Sequence, residues 1–146
     1  MIVLDTNVLS ALMQQQPDAD LVSWLDRQPA ELVWITSITL FEARYGLALL
    51  ALGKRQKDLQ QHFEKLLQDD LENRVLQFDA GAAAHAAHIA AGRKTRGRPV
   101  DMRDTFIAGI VLAQRATLAT RNLRHFDDLP VNLVNPWDGS PILRIS

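Results

Sequence analysis

Ile2-Val3-Leu4-Asp5-Thr6-Asn7-Val8-Leu9 passes from strand to helix within a few residues. The apolar triplet Ile2 to Leu4 is too short for a helix and reads as a buried strand. Asp5, Thr6 and Asn7 are residue types that satisfy the open N–H groups of a helix start. Val8, Leu9, Leu12 and Met13 then recur at helical spacing. Working outward, the same alternation repeats. Leu21, Val22 and Leu25 mark a short helix, and Leu32 to Ile35 a second strand. Thr39 to Leu52 is helical, with Leu40, Ala43, Leu47 and Leu50 on one face, until Gly53-Lys54 breaks it. Gln56 to Leu71 is a further amphipathic helix and Val75 to Phe78 a third strand.

Ala80 to Gly92 is an alanine-rich helix whose small residues predict close approach to a neighbour. Arg96 to Pro99 is a loop, after which Asp101 or a neighbour caps a helix running to about Arg115. Thr117 to Thr120 is a strand, Arg124 to Leu129 a turn of helix, and Val131 to Val134 the last strand. Pro136 and Pro141 punctuate a tail expected to be irregular from about residue 136. Strands alternating with helices predict an α/β fold: a doubly wound, mostly parallel sheet with helices on both faces. No repeat or linker divides residues 1–146, so a single domain is expected.

Composition narrows the chemistry. With 47% hydrophobic and 23% charged residues the chain is an ordinary globular one. The absence of cysteine excludes disulfides, thiol catalysis and cysteine-bound zinc. An acid at Asp5 comes too early for a signal-peptide core, and no apolar run approaches bilayer length. A soluble cytoplasmic protein with no membrane partner is expected. The formal charge of -1 gives no global signature of a nucleic-acid binder. Locally, Arg93, Lys94, Arg96, Arg98 and Arg103 crowd together with Asp101 as the only acid among them. Such a cluster can hold phosphates; a solvated loop and helix end is the plainer explanation.

Doubly wound sheets bind ligands at the carboxyl ends of their strands. Asp5 directly follows the first strand, Glu42 lies just inside the helix after the second, and Asp104 just inside the helix before the fourth. Three carboxylates gathered there would repel one another, and a hard divalent cation relieves that repulsion. Mg²⁺ is commonly held by a few carboxylates, water and substrate phosphate. The chemistry suited to such a site is phosphodiester hydrolysis. Each acid also has a plainer role. Thr39-Leu40-Phe41-Glu42 fits a capping box, Asp104 suits a first helical turn, and Asp5 fits an N-cap. It is their shared end of the sheet that favours a site.

These residues resemble a known family. The Ile2 to Leu9 stretch, the helix bearing Glu42 with Gly46 four residues on, Asp104-Thr-Phe-Ile-Ala, and Leu118-Ala-Thr-Arg-Asn122-Leu-Arg-His-Phe126 are similar, in order, to motifs of the PIN-domain family. The likeness is to VapC- and FitB-type toxin–antitoxin ribonucleases and spans roughly Met1 to Trp137. It implies an endoribonuclease requiring magnesium or manganese. It also implies a homodimer, or a larger toxin–antitoxin assembly, inhibited by a small DNA-binding antitoxin. Asp5, Glu42 and Asp104 match the family's metal-site acids, and Thr120 a supporting hydroxyl. Asn122 stands where many relatives carry a fourth acid, so these four positions supply at most three negative charges. A firmly held second metal is thereby in doubt, though an amide can still orient water.

Among other candidates, Thr6 and Asn7 can support Asp5 by hydrogen bonding, and Asp101 reads as an N-cap beside Asp104. Arg98, Arg103, Arg121 and Arg124 are candidate RNA contacts. His125 is a weak candidate for a general base, and His85 and His88 have no further ligands in view. Trp24, Trp34 and Trp137 are too scattered for a stacking platform. Leu47, Leu50, Leu59, Phe63 and Leu66 form either core or a docking groove. Two other functions compete with the nuclease. One is a catalytically weak acidic pocket that mainly binds a basic antitoxin segment. The other is a phosphoacceptor receiver domain, which would need an aspartate where the second strand instead leads to Thr36-Ser37.

Overall fold

The computed structural model describes residues 1–99 and 101–144. Six strands form one sheet: β1 (Ile2–Leu4), β2 (Val33–Thr36), β3 (Val75–Leu76), β4 (Thr117–Ala119), β5 (Asn132–Val134) and β6 (Pro141–Ile142). The spatial order is β3-β2-β1-β4-β5-β6. The first five are parallel, and β6 runs antiparallel on β5. Among the described residues six α-helices connect them: α1 (Thr6–Leu12), α2 (Ala19–Asp26), α3 (Ser37–Leu49), α4 (Lys54–Lys65), α5 (Ala80–Thr95) and α6 (Met102–Gln114). A π-helical turn, Leu66–Asp70, prolongs α4.

The strands are buried on both faces, which is why they read as continuous apolar runs. Side chains still alternate. Leu4, Val33, Ile35 and Ala119 enter a core shared with Val8, Leu9, Leu21 and Phe63. Val3, Leu118 and Leu133 enter the opposite core with Ile107, Ile110 and Phe126. On that second face α5 and α6 pack at very short range. A Cβ added at Gly109 would lie 2.6 Å from the Ala82 carbonyl oxygen and 2.8 Å from the Ala86 Cβ. The alanine-rich run thus presents a surface smooth enough for a glycine to press against.

Several expectations are corrected. The helix after β2 is capped by Thr36, whose hydroxyl accepts the Thr39 N–H at 3.1 Å. Thr39 is therefore inside the helix and the Thr39–Glu42 capping box does not form. The tail is not wholly irregular, because Pro141 and Ile142 pair with Val134 and Leu133. Proline has no N–H to give, and it is tolerated on an edge strand. Residues 145 and 146 of the tail lie outside the described residues. Leu47, Phe63 and Leu66 are buried in the first core with Leu50 and Leu59 packed on them, so this face is core. No described helix is long and apolar enough to cross a membrane.

Candidate active site

The strand order reverses its direction of growth between β1 and β4, and the carboxyl edge at such a switch point is where open α/β sheets form their ligand crevice. Register decides which side chains meet in it. Leu4 pairs with Ala119, so the next residues, Asp5 and Thr120, emerge side by side. Asp5 is buried, with only 4% of its surface exposed. Its Oδ1 accepts the Thr6 N–H at 2.8 Å. Its Oδ2 accepts the Thr120 hydroxyl at 2.8 Å and the Asn7 amide at 3.2 Å. Thr120 Oγ1 in turn accepts from Asn7 Nδ2 at 3.1 Å and from the Asn122 N–H at 3.0 Å. Burial raises the Asp5 pKa above its ordinary value; the Thr120 and Thr6 hydrogen bonds oppose this, and the negative charge of Asp104 adds to it.

Glu42 is held by a hydroxyl relay. Its Oε1 accepts the Thr6 hydroxyl at 2.8 Å, and Thr6 Oγ1 lies 3.0 Å from Thr39 Oγ1. Thr6 has one hydroxyl proton, spent on Glu42, so the buried Thr39 must donate to Thr6. Arg103 stands 3.5 Å from the other carboxylate oxygen. Asp104 lies in the first turn of α6, where Asp101 caps the helix by accepting the Asp104 N–H at 3.1 Å. Its Oδ2 is 3.0 Å from His125 Nδ1. Burial is the largest cause of a raised Asp104 pKa; Asp101 and Glu42 push the same way, and His125 opposes them.

Asp104 thus lies within electrostatic range of both Asp5 and Glu42, Thr6 links the Asp5 and Glu42 neighbourhoods, and α1, α3 and α6 all start at this edge. Among the described residues, no three acidic or histidine side chains form a ready-made metal cage. The donor set nonetheless fits a hydrated hard divalent cation, which can be held by one or two carboxylates while keeping several waters. Two acids whose anions are disfavoured by burial gain most from a cation. Asn122 is exposed and contributes through its backbone N–H to Thr120.

The basic cluster is only partly available. Arg93 is buried and makes a two-pronged pair with Asp128, at 3.2 Å from Nε and 3.0 Å from Nη2, and it also donates to the His125 carbonyl. Arg96 joins Asp128 at 3.1 Å, and Arg98 lies 3.5 Å from Asp127 and 3.4 Å from Asp128. Acids more than twenty residues downstream therefore neutralise charges that look free in the local sequence. Arg121 lies over the Trp137 ring, and Arg124 is exposed. His125 and Thr39 are site neighbours that sequence reading undervalued. Thr39 had a signal, since it stands one helical turn before Glu42.

An open α/β sheet with an acidic crevice at its switch point is the class that fold and site define together. The chain belongs to the PIN domain family, which matches residues 2–132. It is 37% identical over 138 residues to a protein of Sinorhizobium fredii named VapC ribonuclease, covering 94% of this chain and 99% of that one. It is 37% identical over 137 residues to toxin FitB of Neisseria gonorrhoeae, again covering 94% and 99%. The crystal structure of FitAcB from Neisseria gonorrhoeae matches with a TM-score of 0.84 at 37% identity, covering 94% of this chain and 99% of that chain.

Proposed function

We propose that this chain is the ribonuclease toxin of a toxin–antitoxin pair, hydrolysing RNA phosphodiester bonds with Mg²⁺ or Mn²⁺ and acting as one domain. The observation that carries the reading is the buried Asp5 carboxylate, locked by Thr6, Asn7 and Thr120 beside two further acids. Asp5, Asp104 and Glu42 would hold the cation. When bound, it supplies Lewis acidity at the phosphoryl oxygens and lowers the pKa of water.

The protein's own part is positioning. Three hydrogen bonds stop Asp5 from swinging away from its ligand. The Thr39–Thr6 relay fixes the reach of Glu42, and His125 fixes Asp104. Charged partners are placed before substrate arrives, so little reorganisation remains for the reaction itself. Support for RNA as substrate comes from the relative named as a ribonuclease. Support for a protein partner comes from the resemblance to VapC- and FitB-type toxins, which also implies the homodimer and the DNA-binding antitoxin.

A second reading has one observation in its favour: Arg103 already stands 3.5 Å from Glu42. An acidic crevice that accepts one guanidinium can receive another from a basic antitoxin segment. Purified protein incubated with RNA plus Mg²⁺ or Mn²⁺, with chelator, and as Asp5→Asn separates the two. Cleavage that needs both the metal and Asp5 supports the enzyme. A pure receptor binds the antitoxin but never cuts under any of these conditions.

A further inference from the structure

We propose that Arg121, whose guanidinium stands over the Trp137 ring, is the residue that grips a phosphate of the RNA strand next to the scissile bond. The inference rests on the ribonuclease reading and deepens it, because it names a single substrate-positioning cation outside the acidic crevice.

The four candidate arginines near the crevice differ in what holds them. Arg98 is shared between Asp127, Asp128 and the Arg124 carbonyl. Arg103 lies 3.5 Å from Glu42. Arg124 is exposed, with no side-chain partner among the described residues, so nothing fixes it. Arg121 is exposed too, yet it is fixed at both ends. Its backbone N–H donates to Asn7 Oδ1 at 3.1 Å, and the Asn7 amide donates to Asp5 Oδ2 at 3.2 Å. Its guanidinium carbon sits 3.7 Å from the centre of the Trp137 ring. Trp137 is itself anchored, because it packs on the first core and its backbone N–H donates to Asn135 Oδ1 at 3.0 Å.

The chemistry of this pairing matters. A carboxylate partner would cancel the charge of an arginine, whereas an aromatic face holds the guanidinium and leaves its charge and edge N–H groups for another ligand. Stacking spends rotamer freedom in advance, so less is lost when an anion binds. The link through Asn7 fixes the Arg121 main chain one residue past the hydroxyl that holds Asp5, and Trp137 fixes where its guanidinium rests. A phosphodiester strand crossing the acidic crevice needs such a cation to offset the repulsion its own charges meet there. A nucleic-acid phosphate fits a planar donor fork held in place.

The test measures cleavage kinetics and, in Asp104→Asn protein, RNA affinity across a salt series. Arg121→Gln should raise KM roughly tenfold with kcat little changed. It should also flatten the plot of log affinity against log salt by about 0.7, the contribution of one phosphate on a single strand. Arg121→Lys restores the salt slope but not the full affinity, and Trp137→Leu weakens affinity while keeping the slope. If Arg121→Gln leaves KM and the salt slope at wild-type values in a protein that cuts RNA, the assignment is overturned. If wild-type protein neither binds nor cuts RNA, the ribonuclease reading fails first.

Discussion

Replacing Asp104 by Asn changes one charge and almost no volume, so its consequences can be worked through. Counting Asp5, Glu42, Asp104 and the adjacent Arg103, the crevice carries three negative charges and one positive, or -2; the amide halves this to -1. The amide oxygen can still accept from His125, so the local hydrogen bond survives. Suppose Mn²⁺ is supplied at one hundred times its dissociation constant. Wild-type protein then gains about 2.7 kcal/mol. If losing a ligand weakens binding about a hundredfold, the variant gains only about 0.4 kcal/mol. For a domain of this size the difference is a gap of roughly 5–9 °C in the metal-induced melting shift.

The metal-free proteins give a second readout of opposite sign. Asp104 has a folded pKa raised above 3.8, chiefly by burial. The folded state therefore binds the proton more tightly than the unfolded state does. The native protein is penalised once pH exceeds the folded pKa, and the penalty disappears below about 3.8. At neutral pH without metal, Asp104→Asn should melt no lower than wild type, and any advantage should fade on acidification. Differential scanning fluorimetry with and without Mn²⁺ at several pH values measures both effects. Equal metal shifts in the two proteins, or a metal-free variant well below wild type, would refute the assignment of Asp104 to a cation site.

Thr120→Val removes the hydroxyl that donates to Asp5 and accepts from Asn122 and Asn7. It should cost about 1–3 kcal/mol and, by raising the Asp5 pKa further, move the acid limb of the activity profile to higher pH. Asp128→Asn leaves the buried Arg93 without its counter-charge and should lower stability by about 3 kcal/mol in a denaturant titration. Partial burial pushes the Asp128 pKa up, but Arg93 and Arg98 outweigh this and hold it below 3.8. That contribution is therefore present above 3.8 and is lost as pH falls through the depressed value. Gly109→Ala forces a methyl against backbone and should destabilise by about 1–3 kcal/mol; unchanged melting would mean that α5 and α6 sit further apart.

What the sequence discloses of this fold is whatever is local or periodic. The triplet Ile2 to Leu4, the caps at Asp5 and Asp101, and the alanine-rich approach surface can all be read without coordinates. The shared edge of Asp5, Glu42 and Asp104 follows from strand–helix alternation alone. What escapes is pairing at a distance. Nothing near Arg93 or Arg98 announces that Asp127 and Asp128 fold back onto them. Thr39 looks like a cap because the true cap, Thr36, is the last residue of a strand. Pro141 hides β6 because proline ordinarily signals a break, and only the free edge of β5 makes room for it.

The central position of β1 has a consequence for synthesis. Its residues pair with Val33 and Trp34 on one side but with Thr117 to Ala119 on the other, so half of its hydrogen-bonding edge waits for a strand far along the chain. Closing so long a loop is slow compared with forming the neighbouring helices. Until Thr120 has left the ribosome, Asp5 lacks the hydroxyl that anchors it. A nascent chain that still lacks β4 holds Asp5, Glu42 and Asp104 without the arrangement that the folded sheet edge gives them.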